Sequence, residues 1–169
     1  MVVKAMSCLF PGMISSPAQL ASFTETQGDA VRHEPGFDGG KQPAGYLGDI
    51  SIDLSNFGLS KSEAQTLDPQ QALVLNCVDK LIKENGNLEL PADTGVYIGA
   101  WNTEFKGDRT SVFYPTGTNL SLIAARVSHT FGLSGPSKVV NTACASSLDA
   151  LLEAYRFVTL FLLFLCLIC

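Results

Sequence analysis

Charge is scarce in this chain: 16% of its 169 residues are Asp, Glu, Lys or Arg, and the 11 basic residues are outnumbered by 16 acidic ones. No basic stripe can be drawn along it, so a nucleic-acid partner has no electrostatic footprint. Histidine is nearly absent, with only His33 and His129. The five cysteines (Cys8, Cys77, Cys144, Cys166 and Cys169) are odd in number and irregular in spacing. That is not a disulfide framework, and it favours a reducing compartment. Cys166 and Cys169 form a C-x-x-C, but there is no second pair and it lies in an apolar tail, so neither zinc nor redox use is expected. No secretory signal is evident, because Met1-Val2-Val3-Lys4 leads into a short strand-like run. The location expected is cytoplasmic, with plastid or membrane association left open.

What the chain does have is apolar content. Hydrophobic residues make up 46%, a globular composition with enough length for one domain and its core. The mild net charge of −5 serves solubility. After the opening apolar run, Pro11-Gly12 marks a turn, and residues 22–47 read as an irregular, solvated loop rich in Gly, Pro, Asp and Gln. Asp68-Pro69 opens a helix, with Asp68 as N-cap, Pro69 at the first helical position and Gly86 beyond the end. Val74, Val78, Leu81 and Ile82 share one of its faces.

Thr94 to Ala100 reads as a buried strand in which Gly99 permits close approach of a backbone or ligand. A loop follows from Trp101 to Gly117. Leu120, Ile123, Ala124, Val127 and Phe131 then mark a second helix, stopped by Gly132 and Gly135-Pro136. Lys138 to Thr142 is a short strand, and a third helix from Cys144 is expected to bury Leu148, Leu151, Leu152 and Tyr155. Strands alternating with helices indicate an α/β layered structure with a largely parallel sheet.

Cys144 carries the chemical interest. The run Val139-Val140-Asn141-Thr142-Ala143-Cys144-Ala145-Ser146-Ser147-Leu148 reads as strand, sharp turn and helix, with the thiol at the helix start. A helix N-terminus offers free N–H groups and partial positive charge, which suit a nucleophilic thiolate and acyl transfer through a thioester. The residues alone leave two readings open, that nucleophile or a small buried residue where strand meets helix.

The tail is uniformly apolar. Thirteen uncharged residues, Phe157 to Cys169, follow Arg156. As a helix they would span about 20 Å, short of a bilayer core of roughly 30 Å. Extending backwards would draw Asp149, Glu153 and Arg156 into lipid, at about 2.5–3.5 kcal/mol each. A membrane anchor through residues 157–169 is therefore disfavoured against a buried helix end or an exposed apolar tail.

Taken together, the segments resemble the N-terminal half of a β-ketoacyl synthase of the modular polyketide synthase type. Val2 to Gly12 looks like the family's opening strand and Phe-Pro-Gly turn. Gly45-Tyr46-Leu47, Phe57-Gly58-Leu59-Ser60, Glu63-Ala64 and Leu67-Asp68-Pro69-Gln70-Gln71 look like its stretch ending in Asp-Pro-Gln-Gln. Thr94 to Gly99 is similar to its central strand. Thr116-Gly117-Thr118, Ala124 to Ser128 and Leu133 to Ser137 are similar to the helix and turn before the nucleophile. Thr142 to Leu148 is similar to the active-site signature. The segments arrive in the family's order.

The resemblance implies the thiolase-like fold, of which this chain is the N-terminal half. It implies a domain over residues 1–156 and a tail, residues 157–169, that departs from the family pattern. The implied reaction is a decarboxylative Claisen condensation in which Cys144 takes an acyl group and a malonyl-type extender attacks the thioester. The implied substrate carrier is the phosphopantetheine thioester of an acyl-carrier protein, and no other cofactor is implied. A homodimer, or a heterodimer with a complete ketosynthase, is the implied assembly.

The family's two catalytic histidines follow the cysteine by more chain than is present here, so the fragment alone is expected to be inactive. A non-catalytic subunit that pairs with a complete ketosynthase is the alternative, and a tail-anchored membrane-associated fragment another. The abrupt change of composition after Arg156 suggests a frameshift, a retained intron or an incomplete gene model, or else a divergent tail.

Neither His33, in the loop, nor His129, on the second helix, is expected to substitute for the family's pair. The backbone N–H of Cys144 is a candidate oxyanion donor. Trp101, Asn102, Glu104 and Phe105 could line an acyl or partner surface or be plain loop residues. Arg126 reads as a structural ion pair or carbonyl contact, Asp68 as a helix cap, and Ser146 and Ser147 as small residues that permit the tight turn.

Overall fold

A computed structural model describes residues 3–35, 41–48, 50–158 and 163–167. The chain forms two compact units, one over residues 3–51 and the other from Ile52 onward.

The smaller unit corrects two expectations. Residues 3–9 form no strand, and Val3 and Met6 stand exposed. A strand needs a paired neighbour for its N–H and C=O groups; within this unit the segment has one isolated bridge, where the Phe10 N–H donates to the Ile14 carbonyl at 2.8 Å around the Pro11-Gly12-Met13 turn. The region read as a solvated loop instead holds regular structure. Helix α1 (Pro17–Glu25) is capped by Ser16, whose hydroxyl accepts from the Gln19 N–H at 3.3 Å. Strands β1 (Val31–Pro35) and β2 (Lys41–Gly45) pair antiparallel, with Val31 opposite Gly45 and His33 opposite Pro43. Prolines and charges hide such a hairpin from a propensity reading. Proline tolerates it because each strand of a two-stranded ribbon has an unpaired edge.

The larger unit is the α/β layered structure expected. A short helix α2 (Lys61–Ala64) leads to α3 (Pro69–Glu84), which begins as anticipated: Asp68 caps it, accepting from the Gln70 N–H at 2.8 Å, and Pro69 occupies the first position. Gly86, with φ +70°, follows its end. Val74, Leu75, Val78 and Leu81 are buried, while Ile82 is half-buried. Strand β3 (Gly95–Gly99) is buried along its whole length. The short helix α4 (Tyr114–Thr118), inside the segment read as loop, precedes α5 (Leu122–Thr130), strand β4 (Ser137–Val140), helix α6 (Ser146–Val158) and strand β5 (Leu163–Leu167).

The sheet is parallel in the order β4-β3-β5. The chain moves from β3 to β4 and then back past β3 to β5. Crossovers between parallel strands are right-handed, so α5 and α6 cover opposite faces. Side-chain alternation agrees. Tyr97 meets Phe157 of α6 at a ring separation of 6.0 Å, and Gly99 also points to α6. Val96 and Ile98, on the other face, have no exposed surface. A strand covered on both sides reads as a continuous apolar run.

Gly99 confirms its expected purpose. A Cβ there would stand 2.5 Å from the backbone of Ser146 and Ser147, so the first turn of α6 rests directly on the sheet. This contact explains a correction. Helix α6 buries Ala150 and Ala154, whereas Leu148, Leu152 and Tyr155 are 71%, 42% and 50% exposed, and Leu151 is half-buried. Close approach demands small residues on the sheet side, and the large ones fall on the opposite side.

The apolar tail is corrected as well. Residues 163–167 form β5, in register with Gly95 to Gly99, and are not a helix. Among the described residues no helix is long and apolar enough to cross a membrane. Cys169 and the side chain of Cys166 lie outside the described residues.

Replacing Gly99→Ala should lower the unfolding free energy by about 3 kcal/mol, since overpacking here pushes on backbone. Urea denaturation followed by circular dichroism measures it.

Candidate active site

Cys144 sits where β4 turns into α6, through a single 3₁₀ turn over Ala143–Ala145. It is exposed and engaged in no disulfide. The carboxyl ends of parallel strands are where open α/β sheets present ligands, because helix N-termini and loops gather there. The bend is tight enough to place Ala143 at φ +53°, a left-handed conformation that residues with a Cβ resist. Non-glycine strain of this kind concentrates at functional sites. Ser146 is buried, and its hydroxyl accepts from the Thr142 N–H at 2.9 Å and donates to the Ala143 carbonyl at 2.6 Å. Reading it merely as a small residue missed this role.

The loop after β3 leaves the sheet at the same end. The Ala100 N–H bonds the Val140 carbonyl at 3.1 Å, tying the two strand ends together. Trp101, Asn102 and Glu104 are exposed and Phe105 half-buried. The loop is anchored back onto α3: the Thr103 hydroxyl donates to the second carboxylate oxygen of Asp68, and the Gln70 amide donates to the Asn102 carbonyl at 3.1 Å. Asp68 therefore caps a helix with one oxygen and clamps a loop with the other.

Arg126 is structural, as expected. Its Nη1 reaches Glu63 at 2.8 Å, its Nε donates to Gln71 at 2.5 Å, and its Nη2 lies 3.4 Å from the Thr116 carbonyl. Gln71, 1% exposed, stands in the sequence only as part of the Asp-Pro-Gln-Gln segment, with no role of its own; its amide donates to the carbonyls of Thr116 and Gly117 at 3.2 and 2.9 Å. The Asp-Pro-Gln-Gln segment thus carries a cap, a loop tie and a buried hub.

His129 falls elsewhere in the larger unit. His129 is exposed near the end of α5, which leads into the amino end of β4, whereas Cys144 follows its carboxyl end. The length of β4, about 13 Å, separates those two ends of the sheet. His33 lies on β1. Two shallow hollows also lie away from the thiol. One, of about 320 Å³, is lined by Ser62, Thr66, Asp108 and Phe113, and the other, of about 530 Å³, by Tyr97, Lys138, Glu153 and Phe157. In the second, burial and the Glu153 carboxylate raise the Tyr97 phenol above its ordinary pKa, against an opposing influence from Lys138.

A strained strand-to-helix bend bearing an exposed cysteine at the end of a parallel sheet has a family counterpart. Residues 1–160 match the family model described as the N-terminal domain of β-ketoacyl synthase. The chain belongs to the β-ketoacyl synthase family. Among curated proteins it is 36% identical over 179 residues to the polyketide synthase GfsB of Streptomyces halstedii, covering 89% of this chain and 3% of that protein. It is 31% identical over 164 residues to the erythronolide synthase EryA3 of Saccharopolyspora erythraea, covering 88% of this chain and 5% of that protein.

Among solved structures, an oxazolomycin ketosynthase domain of Streptomyces albus superposes with a TM-score of 0.75 at 24% identity, covering 94% of this chain and 32% of that one. The ketosynthase from module 6 of the bacillaene synthase of Bacillus subtilis superposes with a TM-score of 0.70 at 25% identity, covering 90% and 27%. The fold is thus thiolase-like, and the β-ketoacyl synthase match is to its N-terminal part. The chain spans only a few per cent of the curated proteins it matches, 3% and 5% for the two above.

Two substitutions test the supporting structure. Arg126→Met should cost about 3 kcal/mol in urea unfolding, because Glu63 and Gln71 lose a partly buried partner. Thr103→Val should lower the melting temperature by about 3 °C and speed tryptic cleavage after Lys106 and Arg109 by about fivefold, the factor expected for one lost hydrogen bond.

Proposed function

We propose that this chain carries the acyl-accepting part of a polyketide-type ketosynthase, with Cys144 as nucleophile. The observation that carries the reading is the exposed thiol at the head of α6, on a strained bend at the carboxyl end of the sheet, within a chain of this family. The sulfur, as thiolate, attacks the carbonyl carbon of an acyl thioester on the phosphopantetheine arm of an acyl-carrier protein. The Cys144 sulfur–acyl bond forms, the carrier's carbon–sulfur bond breaks, and the carrier thiolate leaves and takes a proton from water. Negative charge on the acyl oxygen during this step calls for N–H donors, and the Cys144 amide at the helix start is one.

In the complete reaction a malonyl-type extender loses carbon dioxide. Its carbanion then forms the new carbon–carbon bond at the acyl group, and the Cys144 thiolate is released. Decarboxylation needs an acid–base partner near the sulfur. His129 stands towards the other end of β4 from Cys144, so within this unit self-acylation is the step its own residues support. Pairing with a complete ketosynthase, as a non-catalytic partner, is the second reading, favoured by the exposed Leu148, Leu152 and Tyr155 on α6.

Incubating the protein with a butyryl-pantetheine thioester and measuring intact mass tests the first reading. One butyryl increment on the wild type, absent from Cys144→Ala, is expected. No increment, or an increment retained by Cys144→Ala, would overturn it.

A further inference from the structure

We propose that Ser146 is a positioning residue for Cys144, its hydroxyl holding the bend in the strained form that presents the thiol. The proposal rests on the reading of Cys144 as nucleophile. The hydroxyl engages both sides of Ala143: it accepts from the N–H of Thr142, the residue before, at 2.9 Å, and donates to the carbonyl of Ala143 itself at 2.6 Å. Those two groups span the φ and ψ rotations of Thr142 and Ala143, the latter at φ +53°. A helix cap would accept from N–H groups ahead of it. Ser146 instead accepts from a residue four positions behind, so its side chain serves the bend more than the helix.

Ser146 is 3% exposed and its backbone lies against Gly99, so the hydroxyl holds the bend from its buried side. Without the hydroxyl, a part-buried donor loses its partner, and Ala143 keeps only the Asn141 side chain, which accepts from its N–H at 3.4 Å, and the packing of α6 on Gly99 to hold it away from ordinary backbone angles. Such relaxation swings the next residue, Cys144, away from the helix start.

Alkylation of the whole chain by iodoacetamide, mapped by peptide mass and normalised to the urea-unfolded chain, reads the thiol without any thioester. Ser146→Ala should slow labelling of Cys144 about fivefold while labelling of Cys77, on α3, stays unchanged; Ser146→Thr, which keeps the hydroxyl, should restore the rate. A Cys144 rate equal to wild type, or Cys144 and Cys77 changing in parallel, would overturn the proposal.

A second comparison removes the strain at Ala143 and tests whether the brace acts through it. Glycine adopts φ near +53° without strain. In an Ala143→Gly background, adding Ser146→Ala should therefore leave the Cys144 rate unchanged, and a persistent fivefold gap would count against a brace acting through Ala143. Loss of butyryl transfer with this pattern intact would sink the ketosynthase reading and spare the brace, and the converse result would do the reverse.

Discussion

The contact on which the larger unit depends is that between Gly99 and the first turn of α6. With no side chain at Gly99, the helix start comes down onto the central strand until backbone meets backbone. That approach forces the short bend between β4 and α6, and the bend forces Ala143 into left-handed backbone. The same approach selects Ala150 and Ala154 for the sheet-facing side of α6 and turns Leu148, Leu152 and Tyr155 outward. Presentation of the thiol and exposure of an apolar helix face thus share one steric cause.

Around that contact the unit divides its labour. Val96 and Ile98 fill the face under α5, and burying each such side chain is worth about 2 kcal/mol. The polar groups of Asp68, Gln71 and Arg126 supply direction: a carboxylate that caps α3 and holds the following loop, an amide that takes two carbonyls, and a guanidinium that links α2, α3 and α5. Directional contacts of this kind fix where loops leave the sheet, which apolar packing alone leaves loose. The loop from Trp101 and the bend at Cys144 consequently emerge side by side at the carboxyl ends of β3 and β4.

Legibility followed the range of the interactions involved. The cap and end of α3 were readable because Asp68, Pro69 and Gly86 act within a turn of the helix they bound. Strand β3 was readable because five buried residues in a row leave a continuous apolar mark. The hairpin of β1 and β2 was not, since His33 opposite Pro43 and Glu34 opposite Gln42 carry no strand signal. The inward face of α6 runs against its hydrophobic pattern, because the sheet requires small side chains there. The tail misled in a similar way. Thirteen uncharged, nearly all apolar residues suggest a helix end or an exposed tail, and the open edge of β3 took five of them as a parallel strand.

By itself the amino-acid sequence determined the family, the layered α/β class, the capped helix and the candidacy of Cys144. Each of these rests on neighbours within a few positions, or on motifs whose order survives without coordinates. Tertiary structure alone decided which side of α6 is buried, which end of β4 His129 stands at, and that the Ser146 hydroxyl bridges the Thr142 N–H and the Ala143 carbonyl. Those outcomes depend on how closely two backbones can approach once Gly99 removes the obstacle between them, a distance set by packing across the fold and written at no single position of the chain.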